Sequence, residues 1–240
     1  MSNKILIVTT NVDSFDDVGF KTGLWLGELV HFWQVIKEGG YEADIVSPAG
    51  GKVPLDPQSL ILPHMASAVG LKGKVTNQYK DTAFRDLLNN TKSFVDIDVD
   101  DYVAIYLTGG HGVMFDYPND EQLQTLIRTF YDKGKVVSAV CHGSAGLLNV
   151  KHENGQYLIH KKRVTGYSWR EEKLANVEKF VPFNLELEMK KRGARYRKNK
   201  IPFLTKVVKD GRLITGQNPK STTKVAKTVV KLLRKLNKKK

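Results

Sequence analysis

Residues 134–149, GKVVSAVCHGSAGLLN, constrain the fold of this chain more than any other stretch. Val136, Val137, Ser138, Ala139 and Val140 make a short, β-branched, apolar run, which reads as a buried strand. Small residues and then leucines follow Cys141, which reads as a helix start. A strand that becomes a helix within one residue leaves that residue strained and aimed outward from the end of a sheet, as in a nucleophile elbow. Ala139, Gly143 and Ala145 suit the close backbone approach such a turn needs. The N-terminal dipole of the new helix is expected to favour thiolate at Cys141. The plain alternative is a cysteine used as a small buried hydrophobe.

The rest of the chain supplies the sheet this elbow requires. Strands are expected over 4–9, 42–47 and 103–108. A helix capped by Thr22 should run to Glu38, with Leu26, Leu29, Val30, Trp33 and Ile36 at helical spacing and a stop at Gly39-Gly40. Strand–helix–strand order implies right-handed crossovers and a parallel sheet. Residues 52–76, rich in Pro, Gly and Ser, read as a long loop, and 79–90 as a short helix. Asn119 is expected to open an amphipathic helix ending at Lys133-Gly134. Residues 157–160 and 163–167 read as a hairpin or two short strands, and 169–180 and 184–192 as helices. Strands over 203–208 and 212–216 should pair across Asp210-Gly211. A last helix should start at Pro219 and reach Leu236. No repeat or linker interrupts the 240 residues, so a single α/β domain over 1–240 is expected.

One cysteine excludes an intrachain disulfide and fits a reducing, cytoplasmic setting. The apolar runs are too short for a signal peptide or a membrane span. The formal net charge is +13, much of it at 190–200 and 231–240. These tracts interleave no aromatic residue beyond Tyr196 and match no nucleic-acid module, so they read as a solvated helix face and a tail. A nucleic-acid partner is not expected.

A cysteine nucleophile needs a proton acceptor, an oxyanion site and a pocket. His142 adjoins the thiol. Gly109-Gly110-His111-Gly112 follows a strand expected beside the cysteine strand, where ligands bind in open parallel sheets. Glu28 stands among Leu24, Trp25, Leu29 and Val30, where burial would raise its pKa and let it exchange a proton near the sulfur. Glu171 and Glu172 both qualify to orient His142, and pattern does not choose between them. Glu28, His31, His111, Cys141 and His142 lack metal-ligand spacing, so no metal is expected. His64 and His152 show no role. No Gly-rich nucleotide loop occurs, so no cofactor is expected.

Ala139-Val-Cys-His-Gly143, Thr108-Gly-Gly-His-Gly-Val-Met-Phe-Asp-Tyr-Pro118 and Lys21-Thr-Gly-Leu-Trp-Leu-Gly-Glu-Leu-Val-His31 resemble the ThiJ/PfpI superfamily, which is glutamine amidotransferase-like. Within it the chain resembles the branch of chaperone-type glyoxalase III and deglycase proteins. The resemblance spans nearly the whole chain, including Asp210-Gly-Arg-Leu-Ile-Thr-Gly-Gln-Asn-Pro219. It implies a flavodoxin-like three-layer sandwich, mainly parallel with helices on both faces, and usually a homodimer. It implies Cys141 as nucleophile, His142 as triad histidine, Glu28 as the carboxylate touching the sulfur and Glu172 as the acid. Gly110 and His142 would supply oxyanion N–H groups, with His111 and Gly143 beside the substrate. The implied chemistry converts methylglyoxal and related 2-oxoaldehydes to 2-hydroxy acids without a cofactor. A stress protein acting as holdase or oxidation sensor, or an amidase or peptidase, are the alternatives. Two departures stand out. Phe32 occupies a position where the family often has proline, and N-terminal segments linked to holdase behaviour in larger members are absent. Catalysis is therefore expected more firmly than a chaperone role.

Overall fold

A computed structural model describes residues 2–15, 19–61 and 73–238. Asp16, Asp17, His64, residues 62–72 of the expected long loop, Lys239 and Lys240 lie outside the described residues.

The elements run β1 (Lys4–Val8), β2 (Ser14–Phe15), β3 (Phe20–Lys21), α1 (Leu26–Glu38), β4 (Glu42–Val46), α2 (Lys74–Lys80), α3 (Thr82–Asn89), β5 (Tyr102–Leu107), α4 (Val113–Asp116), α5 (Glu121–Asp132) and β6 (Val136–Val140). After a 3₁₀ helix, Cys141–Leu147, come β7 (Arg163–Val164), α6 (Trp169–Leu174), α7 (Leu185–Lys191), β8 (Arg195–Tyr196), β9 (Val207–Asp210), β10 (Leu213–Gly216) and α8 (Thr222–Asn237). The central sheet has the order β4-β1-β5-β6-β10-β9. All its pairings are parallel except β9–β10, which turns at Asp210-Gly211 as expected.

Alternation along the strands divides the core into two layers. Ile5, Ile7, Ala104, Tyr106, Val136 and Ile214 pack with α1 and α8 on one face. Leu6, Val8, Ile105, Leu107, Val137 and Leu213 pack with α5 and the turn after Cys141 on the other. This is the expected flavodoxin-like sandwich.

Several boundaries differ from expectation, each for a local reason. α1 starts at Leu26, not at Thr22, because the preceding backbone runs extended: Leu24 N donates to Pro54 O and Trp25 N to Gly109 O. Thr22 bonds Asp56 instead. Asp81 splits the expected 79–90 helix, ending α2 and capping α3 through Ala83 N and Phe84 N. Asp120, rather than Asn119, caps α5. Of the hairpin or two short strands expected over 157–167, one short strand forms: β7 pairs in parallel with β8, while Tyr157 makes only an isolated bridge to Lys151. α6 stops at Leu174, just before Asn176 takes a left-handed φ of 57°. Residues 203–205 join no strand, because Phe203 N donates to Glu171 and the loop carbonyls accept from Asn199 and Asn218.

α1 is seated by Phe32, whose ring stacks on Tyr106 with centroids 3.6 Å apart, while the Tyr106 hydroxyl donates to Glu28 O. The departure from proline thus fills core volume directly beside the Glu28 turn. Phe32→Ala should destabilise the protein by about 3–5 kcal/mol in urea unfolding. A loss under about 1 kcal/mol would show that this stack does not fix α1.

Candidate active site

Cys141 sits at the end of β6 with φ 55°, a left-handed conformation that a residue with a Cβ adopts only at a cost. The elbow expected from the sequence is present in that sense. The turn can pass because Gly143 lies against β5: a Cβ there would meet Thr108 O at 2.3 Å and Leu107 O at 2.5 Å. Gly110, with φ 108°, is equally constrained, since a Cβ would meet Gly23 O at 2.0 Å. The two glycines pull the β5 loop, the residues before α1 and the elbow together around one sulfur.

Glu28 of α1 is fully buried and its Oε2 accepts from Gly109 N at 2.7 Å. Burial pushes this carboxyl up to about 8; interaction with Cys141 and the Gly109 N–H pull against that without overcoming it. Oε1 has no aligned hydrogen-bond partner, so it is the oxygen left to exchange a proton with the sulfur or with a group bound to it. Cys141 is only 4 % exposed. Burial first, and then the Glu28 charge, raise its thiol well above the ordinary value, although the His142 backbone N–H favours the thiolate. This corrects the expectation of a dipole-lowered thiol. The turn is a seven-residue 3₁₀ helix, and its field is weaker than the cost of ionising sulfur in a dry site. Cys141 and Glu28 therefore titrate as a pair, and ionising the thiol is least costly when the proton stays on the carboxyl.

On the other side of the sulfur, His142 Nδ1 lies 3.5 Å from Sγ and Nε2 lies 2.8 Å from Glu172 Oε2. His111 Nε2 meets the second oxygen, Oε1, at 2.7 Å. Burial works to raise the Glu172 carboxyl, but the two histidines overcome it and hold it at about 2. Burial, then His111, keep His142 below its ordinary value despite Glu172. The consistent assignment is an ionised Glu172 and a neutral His142 whose Nε2–H donates to it, leaving Nδ1 as an acceptor facing the sulfur. The donor atoms of His111, His142 and Glu172 all lie within 4.8 Å of one another, a set that can ligate a metal. As arranged, the 2.7 and 2.8 Å contacts are hydrogen bonds.

The structure thus brings Cys141, His142, Glu28, Glu172, Gly110, His111 and Gly143 together. Glu171 points elsewhere. It accepts from Ser168, Phe203 N, Gln217 and Asn218, closing a capping box on α6 and pinning the 203–205 loop. His31, on the side of α1 near Trp25 and Gly27, and His152, which faces Asp132 at 3.5 Å, stand outside the cluster. The sequence reading missed two neighbours. Tyr167 packs on the His142 ring at 4.5 Å and its N–H donates to Cys141 O; Phe15 packs on His111 at 5.9 Å. Tyr167 lies in the segment that carries Glu172, which was its available signal. A surface hollow of about 730 Å³ is lined by Asn11, Lys52, Tyr79 and Arg85 and by none of the site residues.

The sequence profile of the DJ-1/PfpI family matches residues 21–232. Glyoxalase 3 of Candida albicans is 34% identical over 235 residues, covering 96% of this chain and 98% of that protein. The glutathione-independent glyoxalase HSP31 of Saccharomyces cerevisiae is 33% identical, covering 92% and 94%. Among solved structures, the Rapid Encystment Protein of Francisella tularensis superposes with a TM-score of 0.89 at 36% identity, covering 97% and 99%. Glyoxalase III of Candida albicans superposes with a TM-score of 0.85 at 33% identity, covering 96% and 98%.

A carboxyl that binds its proton more tightly when folded stabilises the protein fully below its unfolded pKa. That contribution is lost as pH rises toward the folded value. For Glu28 the window runs from the ordinary carboxylate range up to about 8. Glu28→Gln, which keeps an acceptor for Gly109 N, should flatten the decline of unfolding free energy between those limits by up to about 1.4 kcal/mol per pH unit. Parallel wild-type and variant curves would mean that Glu28 is ionised in the folded protein.

Proposed function

The chain belongs to the DJ-1/PfpI family, and on that premise we propose that it is a cofactor-independent, glutathione-independent glyoxalase converting methylglyoxal and related 2-oxoaldehydes to 2-hydroxy acids. The observation that carries this reading is the thiol of Cys141 held between a carboxyl that keeps its proton near neutrality and a neutral imidazole. A 2-oxoaldehyde needs these two kinds of group in turn.

Cys141 adds through sulfur to the aldehyde carbon, and the new alkoxide takes a proton to give a hemithioacetal. Glu28, protonated and aimed at the sulfur, is suited to supply that proton. The carboxylate left behind, or Nδ1 of His142, then takes the hydrogen from the former aldehyde carbon. Return of a proton to the neighbouring carbon turns the ketone into an alcohol and the hemithioacetal into a thioester. Water hydrolyses the thioester, releasing lactate from methylglyoxal and restoring the thiol. Hydrogen and oxygen balance with one water consumed, and no outside oxidant or reductant enters. Glu172 fixes the His142 ring and favours the imidazolium formed when Nδ1 takes a proton. The N–H groups of Gly110 and His142, at strained or turning backbone beside the sulfur, are suited to the developing oxyanion. Gly143 permits the approach.

The same reading takes the protein as a single-domain cytoplasmic homodimer. Among the described residues no helix is long and apolar enough to cross a membrane.

Purified protein should form D-lactate from methylglyoxal without glutathione. Cys141→Ala should abolish turnover, and Glu28→Gln should lower kcat about 10²–10⁴-fold with a smaller change in KM. Undiminished turnover by Cys141→Ala would remove the proposal. Activity only in a panel of amide substrates would assign the same thiol to hydrolysis instead. Glu172→Gln should lower kcat and move the acid limb of the pH–rate profile to lower pH, because the Glu172 charge is what raises the His142 imidazole; an unchanged kcat would free His142 from dependence on Glu172.

A further inference from the structure

Among the basic residues late in the chain are two sets that the sequence does not separate, with Arg195, Arg197, Lys200, Lys206 and Lys220 in neither. In the first, carboxylates neutralise the cations. Lys190 and Lys198 meet Glu186 at 2.6 and 2.8 Å, and Lys191 and Arg192 meet Glu188 at 2.7 and 2.6 Å. In the second, Lys224, Lys227, Lys231, Arg234 and Lys235 on α8 and Lys238 at its C-terminal cap stand exposed, and together with Lys209 of β9 they line one hollow of about 700 Å³. Among the described residues, none of these seven forms an ion pair. Glu38 lines an adjoining hollow with Lys227, Lys231 and Arg234 and pairs with none of them. The guanidinium of Arg234 donates to Gly39 O.

α8 holds these charges on a fixed frame. Its inner side, Val225, Ala226, Val229, Val230, Leu232 and Leu233, is buried in the core. Steps of three or four residues place successive cations roughly 4.5–6 Å apart along the axis, over a stripe of about 21 Å. Like charges at such spacing destabilise a helix, so the row is a standing cost that a polyanion would relieve.

We propose that the outer face of α8, with Lys209, docks the phosphate backbone of a nucleic-acid duplex. The stripe is narrow and straight, about six base pairs of rise in length. Residues 222–238 contain no aromatic side chain, so there is no ring on which an unpaired base could stack. The apolar side of the helix faces the sheet, so it is not available for insertion into lipid. What remains is charge in a row, which fits backbone contact without reading of sequence. This departs from the reading of all the late basic residues as a solvated face; that reading holds for the set paired with Glu186 and Glu188. None of the seven belongs to the Cys141 site, so docking and turnover are read independently.

The test uses the full chain and a fluorescent duplex DNA of about 20 base pairs, followed by polarisation between roughly 50 and 200 mM NaCl. The logarithm of affinity should fall with the logarithm of salt at a slope of about −4.5 to −6.3, as for five to seven neutralised phosphates. The triple variant Lys227→Glu, Lys231→Glu, Lys235→Glu should bind at least ~10-fold more weakly, with a slope shallower by about 3, and should form D-lactate at the wild-type rate. If that variant does not fold, the corresponding triple Lys→Gln replacement carries the comparison. No binding at about 50 mM salt, or equal binding by wild type and variant, would overturn the proposal. So would co-sedimentation with phosphatidylserine vesicles in the absence of duplex binding.

Discussion

Burying a thiol beside a carboxyl is the constraint on which the rest of this molecule depends. Neither group ionises readily away from water, and two negative charges in contact are less tolerable still. The pair therefore retains a proton at pH values where both groups would be poised or ionised in water, and the proton can sit on either. Stability and reactivity use the same arrangement in opposite ways. The protonated carboxyl tolerates burial in the folded protein, and its proton is what a thiolate attacking an aldehyde needs to hand on. Much of the surrounding structure serves to keep this pair dry and in contact. α1 carries Glu28 and is locked by the Phe32–Tyr106 stack; the elbow presents Cys141 at φ 55°; and Gly110 and Gly143 allow three backbone segments to meet with no side chain between them.

Glu171 and Glu172 show how neighbouring residues of one type are given different work. Successive positions on a helix point about 100° apart, so at the start of α6 Glu172 faces the site while Glu171, one residue before it, does not. Glu172 accepts from two imidazoles and is held ionised. Glu171 accepts from neutral donors on four residues and ties α6 to the 203–205 loop and to the segment leading into α8. Through that frame the orientation of Glu172, and so of the His142 ring, rests on contacts made well away from the sulfur.

The sheet, its two layers and the elbow were legible because they follow from period-two burial and from a β-branched run meeting small residues. The site was legible where a residue was costly in its setting: a glutamate on an apolar helix face, a lone cysteine at a strand end. What stayed hidden depends on long-range contact. The extended entry to α1 is drawn out by Pro54 and Gly109, which no local pattern records. The short β7–β8 pair joins segments some thirty residues apart. The choice of Glu172 over Glu171 depends on where His111 and His142 lie, and Tyr167 and Phe15 entered the site only through ring packing. The raised thiol was hidden too, since a helix start argues for thiolate until the depth of burial is known.

That depth also bears on which molecules reach the sulfur. Cys141 is 4 % exposed, His142 and Glu172 are buried, and the aromatic group of Phe15, Phe20, Phe115 and Phe180 packs outward from His111. A free three-carbon aldehyde needs only a narrow path through such a wall. An adduct on the side chain of a folded protein would have to bring bulky backbone to the same wall. With a pair whose titration depends on exclusion of water, opening the site that far would also lower the carboxyl back toward its ordinary value and remove the proton it is poised to give. On the proposed activity, the same burial that tunes Glu28 suits small free 2-oxoaldehydes better than protein-bound adducts.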